Sequence, residues 1–331
     1  MHIAVAHNAL DTHSAPDEQD VQVQADAVTA ALQRLGHTTA TLACDLNLEA
    51  ARQKLREIAP DQVFNLVETL AGTGRLIHLF PAMLDSMGLA YSGASAEALL
   101  LTSNKVLAKA LFNTAGVPTP AWRGPNKGHR PYTPPRAQSP AQRWIIKSVW
   151  EHASIGIDAD ALVDGNRTAQ LDTLLEQRAP LLGGACFAEA YITGREFNLA
   201  LLDSALGPQV LPPAEILFEG FQDDQPHIVD YRAKWDTSSH QYHHTPRRFD
   251  FGAADHALLA QLTDLALRCW ALFDLSGYAR VDFRVDGNQR PWVLEVNANP
   301  CIAPDAGFAA ALEQAGISFE QAIARIVDAA A

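Results

Sequence analysis

The sequence predicts an α/β N-terminal part followed by a mixed α+β part. Over about the first hundred residues, short apolar runs alternate with amphipathic helical stretches, which is typical of a parallel sheet with crossover helices. Further along, apolar runs follow one another, and two of them are separated by an Asp-Gly-Asn turn at residues 286–288 that predicts a hairpin. No internal repeat is visible in the sequence.

The N-terminal elements follow from the spacing of apolar residues and from turn residues. Gly36 ends the first helix, Pro60 precedes the third strand, and Gly88 is placed just after the third helix. The pattern predicts strands at residues 2–7, 40–42 and 62–67, and helices at residues 21–35, 48–58 and 76–87. Residues 8–19 are predicted to form a loop.

The remaining elements are predicted in the same way. Thr102 or Ser103 caps a helix that runs to about Ala115. Residues 123–142 contain five prolines and two glycines and are predicted as a loop, and the polar stretch at 219–250 has no predicted element. Ser318 begins a last helix with the capping-box pattern. Further strands are predicted at 144–147, 185–190, 197–202, 209–211, 279–285 and 292–296, and further helices at 169–177 and 255–273.

Composition and charge restrict the class of protein. The chain has 331 residues, 48% of them hydrophobic, which is enough for two or three domains. A net charge of −13 disfavours nucleic acid or an anionic membrane as a partner. The cysteines at 44, 186, 269 and 301 lie far apart and are expected to be reduced. Because no apolar run approaches the roughly 18 residues that span a bilayer and no signal-peptide pattern is present, a cytoplasmic location is expected.

Two neighbouring predicted strands carry the strongest chemical signal. Arg280 and Asp282 occupy alternate positions of the first strand. Glu295 and Asn297 do the same in the second, so all four side chains are predicted to share one face. Oxygen-bearing side chains suit Mg²⁺, and the arginine can stabilise negative charge that develops in acyl or phosphoryl transfer. An ordinary charged sheet face is disfavoured, because the two carboxylates would repel each other without a cation between them.

These residues lie in segments that resemble a known family. Residues 280–282 (Arg-Val-Asp) and 294–300 (Leu-Glu-Val-Asn-Ala-Asn-Pro) resemble the metal-binding core of ATP-grasp enzymes, most closely that of the D-alanine:D-alanine ligase family. Further segments follow in the family's order at residues 104–118, 145–156, 189–196 and 230–235. The resemblance covers nearly the whole chain. It implies an ATP-grasp fold with a Rossmann-like N-terminal domain at 1–100, a central lobe at 101–187 and a C-terminal lobe at 188–331, with ATP between the two lobes.

The resemblance also implies a role for each matching residue. Without it, Lys105 and Lys147 would be interpreted as ordinary surface residues, and a solvated loop position would be an equal alternative for Lys234. The phosphates of ATP would be bound by Lys105 and Lys147, covered by a loop that contains Ser154, and closed over by a mobile loop that carries Lys234. The adenine edge would contact backbone groups of Glu189, Ala190, Tyr191 and Ile192, and the ribose hydroxyls would contact Glu196. Mg²⁺, or Mn²⁺ in its place, would be held by Asp282, Glu295 and Asn297. The developing oxyanion would be held by Arg280 and a backbone N–H near Cys301.

Two segments depart from the family pattern. His152 and Ala153 stand where the family has a glycine and a serine, and Trp235 replaces the tyrosine that follows the loop lysine. After Pro300 the family has a glycine and then a Ser-Leu pair that receives the acceptor carboxylate, whereas this chain has Cys301, Ala306 and Gly307. The lost hydroxyls belong, in the family, to the substrate sites. The nucleotide site is therefore expected to be standard and the substrate sites to differ.

Three further features have competing interpretations. Glu68 follows the strand at 62–67 and either binds a substrate ammonium or serves as a cap or surface residue. Cys301 is interpreted as a small residue and not as a nucleophile, because no histidine motif accompanies it. The histidines at 240, 243 and 244 lack a Cys, Asp or Glu partner at a spacing typical of zinc sites, and are expected at the edge of the closing loop.

The sequence therefore predicts an ATP-dependent ligase that joins the carboxylate of one small molecule to the amine of another through an acyl phosphate. Glu68, Trp235 and Ala306 are predicted to contact the substrates, and the substrate pair is predicted to differ from two D-alanines. A true D-alanine:D-alanine ligase and a nucleotide-binding protein without turnover are the alternatives. The second alternative fits less well, because the metal-binding residues are all present. The family suggests a homodimer.

Overall fold

The computed structural model describes residues 1–10, 16–125, 143–152, 154–222 and 225–330. Within these residues the strands form three sheets, which follow one another along the chain. The N-terminal sheet has three strands, the central sheet four and the C-terminal sheet six. The described part of the chain contains no helix that is long and apolar enough to cross a membrane.

The N-terminal sheet is parallel, as the alternating pattern predicts. Its strands lie in the order β2-β1-β3 and are β1 (His2–Asn8), β2 (Thr38–Cys44) and β3 (Gln62–Leu66). The accompanying helices are α1 (Pro16–Arg34), α2 (Leu48–Ile58) and α3 (Leu79–Met87). Helix α1 begins before the predicted residue 21, because proline is well suited to the first turn of a helix. Of the loop predicted at 8–19, residues 11–15 lie outside the described residues.

Two helices precede the central sheet where the sequence predicted one. They are α4 (Ala96–Ser103) and α5 (Lys105–Thr114). Between them Asn104 is extended, with φ −82° and ψ 93°, and its side chain accepts a hydrogen bond from the N–H of Leu107 at 3.0 Å. Asn104 therefore caps α5, which matches the predicted helix except that its cap lies one or two residues after Thr102 or Ser103, and α4 was not predicted.

The central sheet is antiparallel and has the order β4-β7-β5-β6. Its strands are β4 (Trp122–Arg123), β5 (Trp144–Ser148), β6 (Leu162–Val163) and β7 (Cys186–Ala190), and helix α6 (Leu171–Arg178) packs nearby. Of the proline-rich segment that was predicted as a loop, residues 126–142 lie outside the described part of the chain.

The C-terminal sheet is also antiparallel, with the order β11-β10-β8-β12-β13 and β9 paired to β8. Its strands are β8 (Gly194–Leu202), β9 (Gln209–Val210), β10 (Ala214–Ile216), β11 (Arg247–Arg248), β12 (Tyr278–Asp286) and β13 (Pro291–Asn297). The helices of this part are α7 (Tyr231–Trp235), α8 (His240–His243), α9 (His256–Leu272), α10 (Gly307–Gln314) and α11 (Phe319–Asp328). The predicted hairpin and the capping box at Ser318 are confirmed. The sequence missed α10, whose cap position is Ala306 and carries no capping side chain.

The last two helices pack against the N-terminal part. Val28 and Leu32 of α1 share a buried cluster with Phe308 of α10 and Ile323 of α11. This packing holds the end of β1 and the loop after β3 opposite the β12–β13 hairpin, across a cavity that all three parts of the chain line. The domain boundaries at residues 100 and 187 stay predictions.

Candidate active site

The cavity has a volume of about 660 Å³ and gathers nearly all residues that the sequence predicted for the site. Those that line it are Glu68, Lys147, Ser154, Glu189, Ala190, Tyr191, Ile192, Glu196, Lys234, Trp235, Arg280, Asp282, Glu295, Asn297, Cys301 and Ala306. Lys105 does not line the cavity. Its Nζ lies behind the wall, 3.4 Å from Oε2 of Glu295, and donates to the carbonyl oxygen of Glu151 at 2.8 Å.

The hairpin presents its four polar side chains as paired residues. Arg280 lies opposite Asn297, and Asp282 lies opposite Glu295, immediately before a break in the strand register. Arg280 donates from Nε and Nη2 to the two oxygens of Asp282, at 2.7 and 2.8 Å. The Asp282 carboxylate also accepts from the side-chain amides of Asn198, at 2.8 Å, and Asn297, at 3.1 Å. These bonds fix the orientation of the carboxylate.

Glu295 is the second carboxylate of the hairpin. Burial alone would raise its pKa, but the positive charge of Lys105, with further cationic neighbours that include Lys147 and Lys234, outweighs burial and lowers the pKa. An ionised carboxylate without a tight hydrogen-bonded partner keeps its oxygen lone pairs available to a cation. Glu295 is therefore the more accessible oxygen ligand of the two acids.

Lys147 belongs to a buried cluster of three charged side chains, together with Glu189 and Lys109. Nζ of Lys109 is 2.5 Å from Oε1 of Glu189, and Nζ of Lys147 is 2.5 Å from Oε2 of the same carboxylate. Lys109 is fully buried and also donates to Oγ1 of Thr119 at 2.7 Å. Burial lowers the pKa of Lys109, whereas for Lys147 the charge of Glu189 outweighs burial and raises the pKa. Lys147 therefore keeps a positive charge, which favours a phosphate nearby. The sequence did not predict Lys109, although it follows Lys105 by one helical turn on the same helix face.

Several backbone groups at the end of β7 and just after it already form hydrogen bonds within the protein. The N–H groups of Ala190 and Tyr191 donate to the carbonyl oxygens of Ala121 and Arg143, at 2.8 and 2.9 Å, so neither is free to bind an adenine edge. The carbonyl oxygen of Ile192 accepts from Nε of Arg284 at 3.0 Å. The predicted adenine contact therefore depends on the remaining carbonyl groups and on the N–H of Ile192.

Arg284 is a buried cationic residue of the site that the sequence analysis overlooked. Its Nη1 donates to Oε2 of Glu196 at 2.9 Å and to the carbonyl oxygen of His227 at 2.8 Å. Arg284 continues the alternation of Arg280 and Asp282 along β12, so the same rule would have found it. Burial raises the pKa of Glu196, although the charge of Arg284 opposes this.

The loop at 151–156 is tied to two other parts of the chain. Glu151 accepts from Oγ1 of Thr73 at 2.8 Å and from the N–H of Gly74 at 3.2 Å. Ser154 has a positive φ of 62° and donates from Oγ to the carbonyl oxygen of Val229 at 2.8 Å. Its hydroxyl thus contacts the segment before α7. Ala153, which replaces a family serine, lies outside the described residues.

His152 is neutral in the folded protein. Burial, and then the positive charge of Lys105, lower its pKa to about 3 from an ordinary value of 6.5. Below pH 6.5 the unfolded chain takes up a proton at this position that the folded chain refuses. The histidine therefore contributes stability that is complete above pH 6.5 and is lost progressively as the pH falls towards 3.

The His152→Asn variant should consequently lose less thermal stability on acidification than the wild type. Melting curves between pH 7 and pH 5 measure this difference. His256 provides a control because its side chain is exposed, and His256→Asn should follow the wild-type pH dependence. Parallel curves for His152→Asn and wild type would show that His152 is protonated normally.

Cys301 and Glu68 belong to a polar network between α1 and the segment after β13. The Cys301 thiol donates to Oδ2 of Asp20 at 2.9 Å, and burial raises its pKa well above the ordinary value. Gln24 donates to Oε1 of Glu68 at 2.8 Å and accepts from the N–H of Ile302 at 3.0 Å. A thiol with a raised pKa is a poor nucleophile, which agrees with its interpretation as a small residue.

The histidine cluster is divided between two environments. His243 lines the cavity, whereas the rings of His240 and His244 stack on each other with centroids 3.7 Å apart. Among the residues that the structure describes, no three His, Cys, Asp or Glu side chains are grouped as at a metal site.

Comparison with known proteins identifies the family of this chain. A family model described as "D-ala D-ala ligase C-terminus" matches residues 111–328. A D-alanine–D-alanine ligase of Moorella thermoacetica is 32% identical over 324 residues, which are 95% of this chain and 95% of that protein. An uncharacterized protein of Sinorhizobium fredii is 31% identical over 92% of this chain and 87% of its own length.

A solved structure shows the same fold. The crystal structure of D-alanine–D-alanine ligase from Bacillus anthracis complexed with ATP has a TM-score of 0.72 at 18% identity, and the match covers 99% of this chain and 97% of that one. The predicted ATP-grasp fold is therefore confirmed. So are the resemblance stated from the sequence and the enzyme class, ATP-dependent carbon–nitrogen ligase. The chain belongs to the D-alanine–D-alanine ligase family.

Proposed function

We propose that this ligase activates the carboxylate of one small molecule as an acyl phosphate and joins it to the amine of a second. The observation that supports this most strongly is the face of the β12–β13 hairpin. There an arginine and two carboxyl side chains line a cavity that Lys147 and Lys234 also line. Cationic groups around the phosphates and an arginine beside the reacting acyl group are what such a transfer requires.

We propose Mg²⁺ as the metal, held by Asp282, Glu295 and Asn297. The residues fit such an ion, because carboxylate and amide oxygens are hard ligands and the cationic neighbours of Glu295 lower the pKa of that carboxylate. Asn297 donates to Asp282 through Nδ2, which leaves its Oδ1 to accept or to coordinate. When bound, Mg²⁺ would neutralise negative charge on the phosphate oxygens.

The proposed chemistry has two steps. A carboxylate oxygen of the donor attacks the γ-phosphorus of ATP and the bond to the β-phosphate oxygen breaks, so ADP leaves. The acceptor amine then attacks the acyl carbon and loses a proton to solvent, while inorganic phosphate departs with the electrons of its C–O bond. Lys147 and Lys234 hold the phosphates, and Arg280, oriented by Asp282, holds the oxyanion of the second step. A backbone N–H near Cys301 is proposed as the second oxyanion donor.

Isotope transfer tests this proposal directly. If the donor carboxylate carries ¹⁸O, each turnover moves one of its oxygens into the released phosphate, which mass spectrometry of the phosphate detects. Hydroxylamine in place of the acceptor should trap the acyl phosphate as a hydroxamate. Release of unlabelled phosphate during amide formation would contradict an acyl phosphate, and absence of any release dependent on both substrates would favour a non-catalytic binder.

We further propose that two D-alanines are not the preferred substrate pair. Ala306 and Trp235 line the cavity and cannot supply the hydroxyls that the family uses to hold its substrates. A hydrogen bond to a charged group contributes about 1.5–3 kcal/mol, so losing one should cost roughly tenfold to 150-fold in kcat/KM. A coupled ADP-release screen over D- and L-amino acids, amines and hydroxy acids measures the ranking. The proposal is wrong if D-alanine with itself heads that ranking. The homodimer and the cytoplasmic location stay predictions.

A further inference from the structure

Arg284 joins three segments of the cavity wall through one guanidinium. Its side chain is 4% exposed, and Nε donates to the carbonyl oxygen of Ile192 at 3.0 Å. Nη1 donates one hydrogen to Oε2 of Glu196, at 2.9 Å, and the other to the carbonyl oxygen of His227, at 2.8 Å. The guanidinium also lies over the ring of Tyr191, 5.4 Å from its centroid. Nε and Nη1 thus have no hydrogen left for a substrate, so Arg284 acts through the groups that it holds.

The third of these segments leads to the lysine of the closing loop and is here called the lid segment (residues 225–236). Side chains from outside hold it by two of its backbone carbonyl groups. Arg284 donates to that of His227, and Oγ of Ser154 donates to that of Val229 at 2.8 Å. The first bond comes from the end of the cavity predicted to bind the nucleoside, and the second from the loop predicted to cover the triphosphate. Both ends of the predicted nucleotide site are therefore joined to the lid segment.

Lys234 depends on these bonds for its position. It lies in the five-residue helix α7, which Asp230 caps by accepting from the N–H of Ala233 at 2.8 Å. Nζ of Lys234 has no hydrogen-bond or ion-pair partner among the residues that the structure describes. A helix of this length is not stable by itself, because one or two turns do not offset the cost of nucleation. The bonds that hold the lid segment therefore determine where Lys234 stands in the cavity.

Glu196, which is predicted to bind the ribose hydroxyls, has one oxygen engaged and one open. Oε2 accepts from Arg284, whereas Oε1 accepts from no residue in the described part of the chain. The side chain lines the cavity and is 14% exposed. A hydroxyl group that donates to Oε1 would hold the carboxylate in one orientation. That ordering would pass to the guanidinium and to the carbonyl of His227, which shares Nη1 with Glu196.

We propose that Arg284 is a positioning residue that couples the occupation of Glu196 by ribose hydroxyls to the placement of Lys234, so that the enzyme recognises the nucleoside in its rate of turnover as well as in binding. This inference rests on the proposed ligase function, in which Lys234 holds the phosphates. A coupling of this kind needs two distinct sites and an element that both influence. The two sites are the ribose acid and the phosphate lysine, and the element is the lid segment.

Two nucleotides and two variants test the coupling in the ADP-release assay. The nucleotide dATP lacks one ribose hydroxyl, so the wild type should use it with a kcat at least about fivefold lower than for ATP, besides a higher KM. Arg284→Met removes the guanidinium and keeps an unbranched side chain. Its kcat with ATP should fall at least about fivefold and should equal its kcat with dATP. Arg284→Lys keeps a donor of positive charge and should restore part of the kcat with ATP.

The control is Arg34→Met, which also removes an arginine bonded to a glutamate. Arg34 pairs with Glu320 at 2.7 Å, but its side chain is 58% exposed and lies outside the cavity, so this variant should behave as wild type. A ratio of the two kcat values that is unchanged in Arg284→Met would overturn the proposal, because Arg284 would then only shape the nucleotide pocket. Equal kcat values of the wild type with ATP and dATP would overturn it as well.

Hydrogen exchange of the wild-type protein tests the coupling without turnover and without a variant that could unfold. The ligands are ADP and dADP, each at a saturating concentration, since neither has a γ-phosphate for Lys234 to contact. ADP should slow amide exchange in the lid segment at least about fivefold more than dADP does. Equal exchange with both would overturn the inference even if the protein proves to be a ligase. A slower exchange with ADP supports the inference even if no substrate pair is turned over.

Discussion

Glu295→Gln and Asp282→Asn should each lower kcat at least about a hundredfold while the protein stays folded. Each substitution keeps the size of the side chain and removes one negative charge from the hairpin face. Loss of one preorganised charged group at a transition state typically costs about 10²–10³ in rate. Asp282→Asn should also release Arg280, whose guanidinium is oriented by two hydrogen bonds to that carboxylate. The rate of ADP release at saturating substrates measures the effect.

Asp264→Asn is a suitable control for these variants. Its side chain is 70% exposed on α9, and its ion pair with Arg268 is long, at 4.0 Å, and therefore weak. Neutralising Asp264 should leave kcat unchanged. Circular dichroism and Tm of all three variants establish that they are folded. Near wild-type turnover in either hairpin variant would mean that the two acids do not act at the reacting phosphate.

The hairpin face could be predicted because its information is local. Strand alternation alone brings Arg280 and Asp282 to one face of β12, and Glu295 and Asn297 to one face of β13. The turn does not fix the pairing of Asp282 with Glu295, because a break in register after Asp282 shifts it by one residue. Arg284 obeys the same alternation and could have been predicted by the same rule. The parallel N-terminal sheet was predictable for a similar reason, since apolar runs alternate with helices within short stretches of chain.

The rest of the site depends on contacts between distant parts of the chain. Asn198 reaches Asp282 because β8 pairs with β12, and no local pattern specifies that pairing. The short elements α7, α8 and β11 lie in the polar stretch at 219–250, for which the sequence predicted none, because propensity carries little information for such short elements. Helix α10 begins at Ala306 and Gly307, which lack the side chains that normally signal a helix start.

The buried carboxylate of Glu189 shows how strongly such distant contacts act on stability. Lys109 and Glu189 are at most 1% exposed. Nζ of Lys109 is 2.5 Å from one oxygen of the Glu189 carboxylate, and Nζ of Lys147 is 2.5 Å from the other. Burial alone would raise the pKa of Glu189, but the two lysines outweigh burial and lower it below the ordinary 4.5. The pairing therefore stabilises the fold fully above about pH 4.5, and its contribution is lost as the pH falls below that value.

Glu189→Gln should lower the free energy of unfolding by about 3–5 kcal/mol at pH 7, because removing one partner leaves buried cations without a counter-charge. Urea unfolding followed by tryptophan fluorescence measures the change. Glu57→Gln is the matched control, since the Glu57 side chain is 69% exposed and its pair with Lys54 should contribute less than about 1 kcal/mol.

Adding Lys109→Met to Glu189→Gln should recover part of the lost stability, because an apolar side chain of similar length needs no counter-charge. The difference in free energy of unfolding between wild type and Glu189→Gln should also narrow below about pH 4.5, as the Glu189 carboxylate of the unfolded wild-type chain begins to take up a proton. A loss no larger than that of Glu57→Gln, or a gap independent of pH, would mean that water already compensates these charges in the folded protein.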